Sequence, residues 1–132
     1  MTVRYEWRAP FDNAAVNALH AEGFDHAVLD GDWRSRVERY SLGWVCAFAG
    51  ERLIGFVNVA WDGGVHAFVI DTLVSPEHRH AGVGRGLLDV VQRQGRSAGC
   101  EWLHVDFEEA LREFYVGACG FAPSPAGLIA LR

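Results

Sequence analysis

Residues 73–88 read LVSPEHRHAGVGRGLL, a run in which the apolar end of a strand passes through a glycine-rich turn directly into a helix. Such a turn leaves backbone N–H groups without partners at the positive end of the helix dipole. Glycines let an anion approach that backbone, so the run predicts a cradle for a phosphate or pyrophosphate group. Two common phosphate motifs do not fit. The Walker motif needs a Lys where Arg85 stands, and the dinucleotide fingerprint needs a third Gly where Leu87 stands.

The segments on either side of this run predict a mixed α/β sheet. Three strands precede it at residues 44–49, 53–61 and 65–74, and their loops are so short that they must form an antiparallel meander. Earlier segments predict a strand at 2–7 and helices at 13–23 and 30–40. Later ones predict a helix at 82–98, a strand at 101–107, a helix at about 108–118 and a closing strand at 128–131. The strand at 101–107 must lie parallel to the strand at 65–74, because a helix crosses between them.

Composition excludes several kinds of chemistry. The chain has 132 residues, of which 50% are hydrophobic and 22% charged, which suits one domain with a filled core. All twelve basic residues are Arg, so Schiff-base, pyridoxal and kinase-type lysine chemistry is excluded. The net charge of −5 argues against non-specific binding to nucleic acid.

The cysteines and the N-terminal residues predict a cytoplasmic protein. Cys46, Cys100 and Cys119 are an odd number without a C-x-x-C pair, which fits a reducing compartment better than a disulfide framework or a zinc site. Residues 1–6 lack the pattern of a signal peptide, and no apolar run approaches the roughly 20 residues that span a bilayer. We therefore expect one domain over residues 1–132, without membrane contact or a metal.

Two motifs carry a resemblance to a known family. The run at 73–88 contains R-x-x-G-x-G, from Arg79 to Gly84, after a V-x-P strand end. Further along, Phe114-Tyr115 precedes Gly120-Phe121. These motifs and the order of the elements across nearly the whole chain resemble the GNAT superfamily of N-acetyltransferases. The resemblance implies a mixed, mostly antiparallel sheet whose central parallel strand pair splays apart at the cofactor site, flanked by helices.

The resemblance also implies a reaction and a cofactor site. The chain would transfer the acetyl group of acetyl-CoA to a primary amine, by direct attack in a ternary complex. Pantetheine would bind the backbone of Leu73 and Val74, between splayed strands at 66–74 and 102–107, with the Val74 N–H as a candidate oxyanion donor. The pyrophosphate would bind the loop residues Arg79, His80, Ala81, Gly82, Val83, Gly84, Arg85 and Gly86. Residues 78–96 contain four Arg against one Asp, a local net charge of +3 that favours an anionic cofactor.

Tyr115 and Asp71 are the expected catalytic residues. Tyr115 matches the family's general acid, since a neutral phenol can protonate a departing thiolate. Asp71 interrupts an apolar strand, which is costly unless its carboxylate faces a cleft or a partner, and is the candidate base. His66 and His104 are further proton carriers to consider. Each candidate also has a purely structural interpretation, as a core tyrosine, a buried hydrogen-bonding carboxylate, or structural or surface histidines.

The chain departs from the family pattern at three places, one of them a short C-terminal end at residues 122–132. Glu108 stands where many members have an Asn that holds pantetheine, and the spacing from Tyr115 to Gly120 is one residue longer than in many members. The alternative function is a non-catalytic acyl-CoA-binding or sensing module. The acceptor, a small-molecule or protein amine, stays open. So does a homodimer, since Trp33, Trp44 and Trp61 are either core residues or the lining of a dimer face.

Overall fold

The computed structural model describes residues 2–132, which fold around a five-stranded sheet with the order β1-β2-β3-β4-β5. The strands are β1 (Val3–Trp7), β2 (Ser41–Ala49), β3 (Arg52–Trp61), β4 (His66–Val74) and β5 (Trp102–His104). Successive strands from β1 to β4 pair antiparallel with one another, and β5 is parallel to β4. The predicted mixed, mostly antiparallel sheet is confirmed.

Three α-helices cover the two faces of this sheet. They are α1 (Asn13–Phe24), α2 (Trp33–Tyr40) and α3 (Val83–Ser97). The apolar stripe of α3 packs on one face, where the fully buried Leu87 meets Val57. The other face carries α1 and α2, whose Val16 and Val37 pack with Phe56. Burying a side chain of this size contributes about 1.5–3 kcal/mol, so the two layers hold the sheet between them.

A buried amide ties down the connection between α1 and α2. The Asn17 Nδ2 donates to the Gly31 carbonyl at 3.0 Å, and its Oδ1 accepts from Trp33 Nε1 at 3.0 Å. The carboxylate of Asp32 then caps α2 by accepting from the Ser35 N–H at 3.2 Å. These bonds anchor the C-terminal end of the exposed segment 25–30. Trp33 and Trp44 are buried in the core, and Trp61 is half-buried.

A bulge in β4 changes which layer its side chains face. Phe56 pairs with Leu73 and Asn58 with Ile70, so Asp71 and Thr72 lie together opposite one residue of β3. Asp71 adopts a left-handed φ of 56° at this bulge, the conformation that one class of β-bulge has at its first residue. Before the bulge, Val69 packs with α3; after it, Leu73 packs with α1 and α2. Strict alternation would have placed Leu73 with Val69.

Two expectations for the C-terminal part are wrong, and a third is right in its bounds but not in its helix type. β5 ends at His104, and the last helix is a 3₁₀ turn (Glu109–Leu111) followed by a π-helix (Glu113–Ala118). Residues 128–131 form no strand, and the Leu131 side chain is 95% exposed. A strand needs a bonded neighbour, and Pro123 and Pro125 just before the segment lack the N–H that a ladder requires. Separately, no helix within residues 2–132 is long and apolar enough to cross a membrane.

Candidate active site

The parallel strands β4 and β5 separate after a short pairing. Their three residue pairs begin at His66 with Trp102 and end at Phe68 with His104. In the described residues no pair follows, although β4 continues to Val74. A gap therefore opens beside the second half of β4, and we call this gap the β4–β5 cleft.

The backbone of Val74 faces the β4–β5 cleft. The next residue, Ser75, donates its N–H to the Ile54 carbonyl in β3 at 2.8 Å. Backbone groups of successive strand residues point to opposite edges, so the N–H and C=O of Val74 point away from β3. The Arg79 Nε donates to that Val74 carbonyl at 3.4 Å. By the same alternation the backbone of Leu73 faces β3, and its side chain is buried.

The glycine loop ends in a helix without a side-chain cap. Gly82 is the N-cap of α3, with a left-handed φ of 83°, and open space lies where its Cβ would be. The N–H groups of Val83, Gly84 and Arg85 begin the helix and have no intrahelical acceptor. His80 is also left-handed, with φ of 61°. The side chains of Arg79, His80, Ala81 and Arg85 are exposed. The loop thus presents backbone donors and cations to the same solvent.

Two glycines of α3 serve packing, a role the sequence argument did not assign to them. A Cβ at Gly84 would lie 2.9 Å from the ring of Phe114, and a Cβ at Gly86 would overlap the ring of Tyr5 in β1. The first turn of α3 therefore lies in close contact with the π-helix and with β1. This contact sets where the free N–H groups point.

Tyr115 lies in the π-helix, enclosed by aromatic rings. Its ring stacks on Phe107 with centroids 5.3 Å apart and meets Phe121 edge-on at 5.9 Å. Burial raises the pKa of Tyr115, and a hydrogen bond from the Thr72 hydroxyl lowers it in part. The phenol is therefore protonated at neutral pH, the state that a general acid requires. Thr72 belongs to the β4 bulge, so this contact connects Tyr115 to β4 beside the cleft.

The π-helix accounts for the longer spacing between Tyr115 and Gly120. The Cys119 N–H donates to the Phe114 carbonyl five residues earlier at 2.9 Å, and the Phe121 N–H donates to the Tyr115 carbonyl at 3.0 Å. A π turn accommodates one more residue than an α turn. Gly120, with φ of 84°, then ends the helix. The extra residue is absorbed here, within the turn that carries Tyr115.

Asp71 is joined to two histidines that the sequence analysis did not select. Its Oδ1 lies 3.4 Å from His20 Nε2, and His20 Nδ1 lies 2.7 Å from His26 Nε2. The row ends where His26 Nδ1 meets the Ala27 carbonyl at 2.6 Å. The side chains of His20 and Asp71 are 25% and 21% exposed. The only signal in the sequence was that a carboxylate in an apolar strand needs a partner.

The structure places His66 and His104 away from Asp71. Their ring nitrogens are 2.7 Å apart, and the Phe68 ring stacks on His104 at 4.5 Å. Both are exposed at the paired end of β4 and β5. Asp71 lies five positions along β4 from His66, roughly 17 Å of strand. Among residues 2–132, no three His, Cys, Asp or Glu side chains are grouped to hold a metal ion.

The positive charge predicted near the loop lies on the surface. Arg79 and Arg85 flank Gly82, and Arg93 and Arg96 follow on α3; all four are exposed. Asp89 is the one acidic residue between them. An anion approaching the N-terminus of α3 therefore meets both the helix dipole and this cationic surface.

A family model and several solved structures match this geometry. The family model described as the acetyltransferase (GNAT) family matches residues 4–121. The chain therefore belongs to the GNAT family of acetyltransferases, and the resemblance noted from the loop and Tyr115 motifs is confirmed. Comparison with curated proteins gives no match.

The fold is similar to that of solved acetyltransferases over nearly its whole length. An acetyltransferase of Trypanosoma brucei has a TM-score of 0.82 at 18% identity, covering 98% of this chain and 99% of its own. A glucosamine-6-phosphate N-acetyltransferase of Arabidopsis thaliana has a TM-score of 0.78 at 13% identity, covering 98% of each chain. The protein AAC(6')-Iy, in complex with the bisubstrate analogue CoA-S-monomethyl-acetylneamine, has a TM-score of 0.74 at 17% identity, covering 100% and 99%. At sequence identities this low, the similarity shows the fold alone.

Proposed function

We propose that this protein transfers the acetyl group of acetyl-CoA to a primary amine, with both reactants bound together at the β4–β5 cleft. One observation carries the proposal: the uncapped N-terminus of α3, the outward backbone of Val74 and the buried phenol of Tyr115 all adjoin the end of β4. These are an anion site, a hydrogen-bond donor and an acid. Acyl transfer from a thioester to an amine needs those three groups and a proton acceptor.

Each group has one role in the proposed reaction. The N–H groups of Val83, Gly84 and Arg85 would hold the pyrophosphate, an arrangement that free donors at a helix N-terminus favour. The Val74 N–H would donate to the thioester oxygen as the amine nitrogen attacks its carbon. The C–N bond forms, the C–S bond breaks, and Tyr115 would give its proton to the sulfur. Asp71 lies on β4, the strand that also carries Val74, and would accept the proton that the amine must lose.

The partners follow from these roles. Acetyl-CoA supplies the acyl group, and the acceptor is a small-molecule or protein amine in a cytoplasmic setting. A homodimer is compatible with this site but plays no part in the proposed steps. The alternative function, a module that binds acyl-CoA without transferring the acetyl group, shares the loop but requires no acid at Tyr115.

Thermal unfolding with and without acetyl-CoA tests the cofactor site, with ATP and NAD as controls. A ligand at about 100 times its dissociation constant stabilises the fold by roughly 2.7 kcal/mol, a shift of several degrees at this size. We expect the shift with acetyl-CoA alone. Release of free CoA thiol is then measured with glucosamine 6-phosphate, neamine and spermidine as probe amines. A thermal shift without amine-dependent release would favour the binding module, and an equal shift with ATP would contradict the acetyl-CoA site.

A matched pair of arginine variants tests whether the cofactor binds at the N-terminus of α3. Arg85 and Arg93 are both exposed on α3, but they are eight residues, or about 12 Å, apart along the helix. We expect Arg85→Gln to weaken acetyl-CoA binding two- to fivefold, because an exposed ion pair contributes about 0.5–1 kcal/mol. Arg93→Gln should leave the affinity nearly unchanged. Equal losses in both variants would mean that the charge acts only at long range.

A further inference from the structure

We propose that Asp71 and His20 together take up the proton of the acceptor amine, and that His26 is a positioning residue that turns the free nitrogen of His20 toward Asp71. The inference deepens the proposed acetyl transfer and rests on it. It comes from the row of contacts that runs from the β4 bulge to the segment after α1. Among residues 2–132, His20 is the one His or Arg side chain within 4 Å of the Asp71 carboxylate.

The row contains three contacts between four groups. The distances are 3.4 Å from Asp71 to His20, 2.7 Å from His20 to His26, and 2.6 Å from His26 to the Ala27 carbonyl. A carboxylate, a carbonyl and an unprotonated ring nitrogen only accept hydrogen bonds. Each contact would need one proton of its own to be a hydrogen bond, and two neutral imidazoles bring only two.

The Ala27 carbonyl decides where those two protons lie. It can only accept, so His26 carries its proton on Nδ1 and leaves Nε2 as an acceptor. The facing nitrogen, His20 Nδ1, must then be the donor across the 2.7 Å contact. One contact is left without a proton, so that two acceptors face each other there, and it is the longest of the three contacts. That is the 3.4 Å contact with Asp71, where the lone pair of His20 Nε2 meets the carboxylate.

This arrangement is a proton acceptor whose counter-charge, the Asp71 carboxylate, is already in place. A proton arriving at the Asp71 end enters the one contact that lacks it, and the carboxylate stabilises the imidazolium that forms on His20. In the proposed reaction the amine loses this proton as its C–N bond forms, and Tyr115 protonates the departing sulfur. Water then removes the proton from His20 and returns one to Tyr115, so the protein ends as it began.

The surroundings of His20 hold its ring in place. The rings of Phe24 and Trp33 lie 4.6 Å and 5.4 Å from it, between centroids, on α1 and α2. On β4 the charged group that faces it is Asp71. Asn17 anchors Gly31 and Trp33, so the segment that carries His26 returns to the body at a defined place.

NMR of protein labelled with ¹⁵N-histidine tests the proton positions without any acceptor. Under conditions where His20 is neutral, we expect it to carry its proton on Nδ1, and His26 likewise. His26→Leu removes the acceptor and should release His20 to the other tautomer. His26→Gln offers a side-chain oxygen and should restore the Nδ1 form. His26 is exposed, so neither change touches the core. Nε2 protonation of neutral His20 in the unmodified protein would overturn the proposal.

The kinetic arm uses the same variants with the probe amine that gives the fastest CoA release. We expect His26→Leu to lower kcat about tenfold at unchanged KM for acetyl-CoA, and His26→Gln to recover most of it. His66→Gln, in the second histidine pair, should behave as the unmodified protein. Unchanged kcat in both His26→Leu and His20→Gln would overturn the proposal. The thermal shift with acetyl-CoA does not depend on these residues. If that shift is absent, the proposed function is contradicted rather than this inference. If no probe amine reacts, the NMR experiment still tests the proton positions.

Discussion

Asp71 illustrates how one residue can connect several functions of a strand. Its left-handed φ makes the bulge, which sends its carboxylate toward His20 on α1 and the neighbouring Thr72 toward Tyr115. In an unbulged strand, regular alternation would have turned Asp71 toward the α3 layer, on the side of Val69, and Thr72 toward the layer of α1 and α2. The proposed acid and the proposed proton acceptor are thus connected to adjacent residues of β4.

Replacing Tyr115 by Phe should separate catalysis from cofactor binding. The ring contacts with Phe107 and Phe121 would remain, while the hydroxyl proposed as the proton donor is removed. We expect kcat for CoA release to fall about 10²-fold or more, as losses of general acids do. The acetyl-CoA thermal shift should be kept. Tyr40→Phe, at an exposed tyrosine, is the control, and full turnover in Tyr115→Phe would show that the phenol is not the acid.

Cys46 makes the stability of the fold sensitive to alkali. Burial, with a smaller contribution from the charge of Glu6, raises the pKa of the Cys46 thiol to about 12. The unfolded thiol ionises from its ordinary value of 9.0, so stability present below pH 9 is lost as the pH rises toward 12. Denaturant unfolding should show a steeper loss between pH 8.5 and about 10.5 in the unmodified protein than in Cys46→Ala. If the free energy of unfolding fell equally with pH in the two proteins, the loss of stability would not come from the Cys46 thiol.

At the scale of elements, α3 packs closely against neighbouring aromatic rings at its N-terminal end and has open space beside its C-terminal end. Its first turn carries Gly84 and Gly86 against aromatic rings, while Gly95 near its C-terminal end has open space where a Cβ would be. The same residue type therefore has opposite consequences along one helix. The close end is the one that presents N–H groups to the proposed cofactor.

A pair of glycine-to-alanine changes in α3 should have opposite signs. Gly95→Ala should raise the free energy of unfolding by roughly 0.5–1 kcal/mol, because alanine loses less backbone entropy in a helix. Gly86→Ala should lower it by about 1 kcal/mol or more, because the new methyl group displaces the Tyr5 ring. Urea unfolding of both variants measures the difference. A stabilising Gly86→Ala would mean that Tyr5 moves aside without cost.

At the scale of the whole molecule, charge is unevenly distributed. The chain carries a net charge of −5, yet residues 78–96 carry +3. A net charge of −5 is unfavourable for non-specific binding to nucleic acid, whereas Arg79 and Arg85 lie beside the N-terminus of α3 and Arg93 and Arg96 lie further along the helix. An anionic cofactor is therefore attracted to one part of a protein that otherwise repels it.

Salt should weaken acetyl-CoA binding more than it weakens binding of an uncharged analogue. Screening lengths fall from about 10 Å at 0.1 M to about 3 Å at 1 M salt, so the exposed arginines lose most of their long-range effect. We expect the Kd for acetyl-CoA, from calorimetry, to rise severalfold between 0.05 and 0.5 M KCl. Acetyl-pantetheine, which lacks phosphates, is the control. Equal salt dependence of the two ligands would argue against phosphate recognition by this surface.

The sequence by itself determined the elements whose signals are local. The helix α3, the meander from β2 to β4 and the loop at Gly82 follow from apolar spacing, short loops and glycine positions, and the bounds lie within three residues of their predictions. The family resemblance has the same basis, because R-x-x-G-x-G and the Tyr115 motif are short stretches of contiguous sequence. Such features depend on neighbours along the chain.

The tertiary structure alone decided the features that depend on residues far apart. The length of β5, the absence of a strand at 128–131 and the bulge at Asp71 depend on which backbone edges meet. The histidine row does so most of all, since His20 and Asp71 are brought together only when α1 packs across β4. Hydrogen bonds and ion pairs act over a few ångströms of space, and a linear pattern does not record which distant residues folding brings within that range.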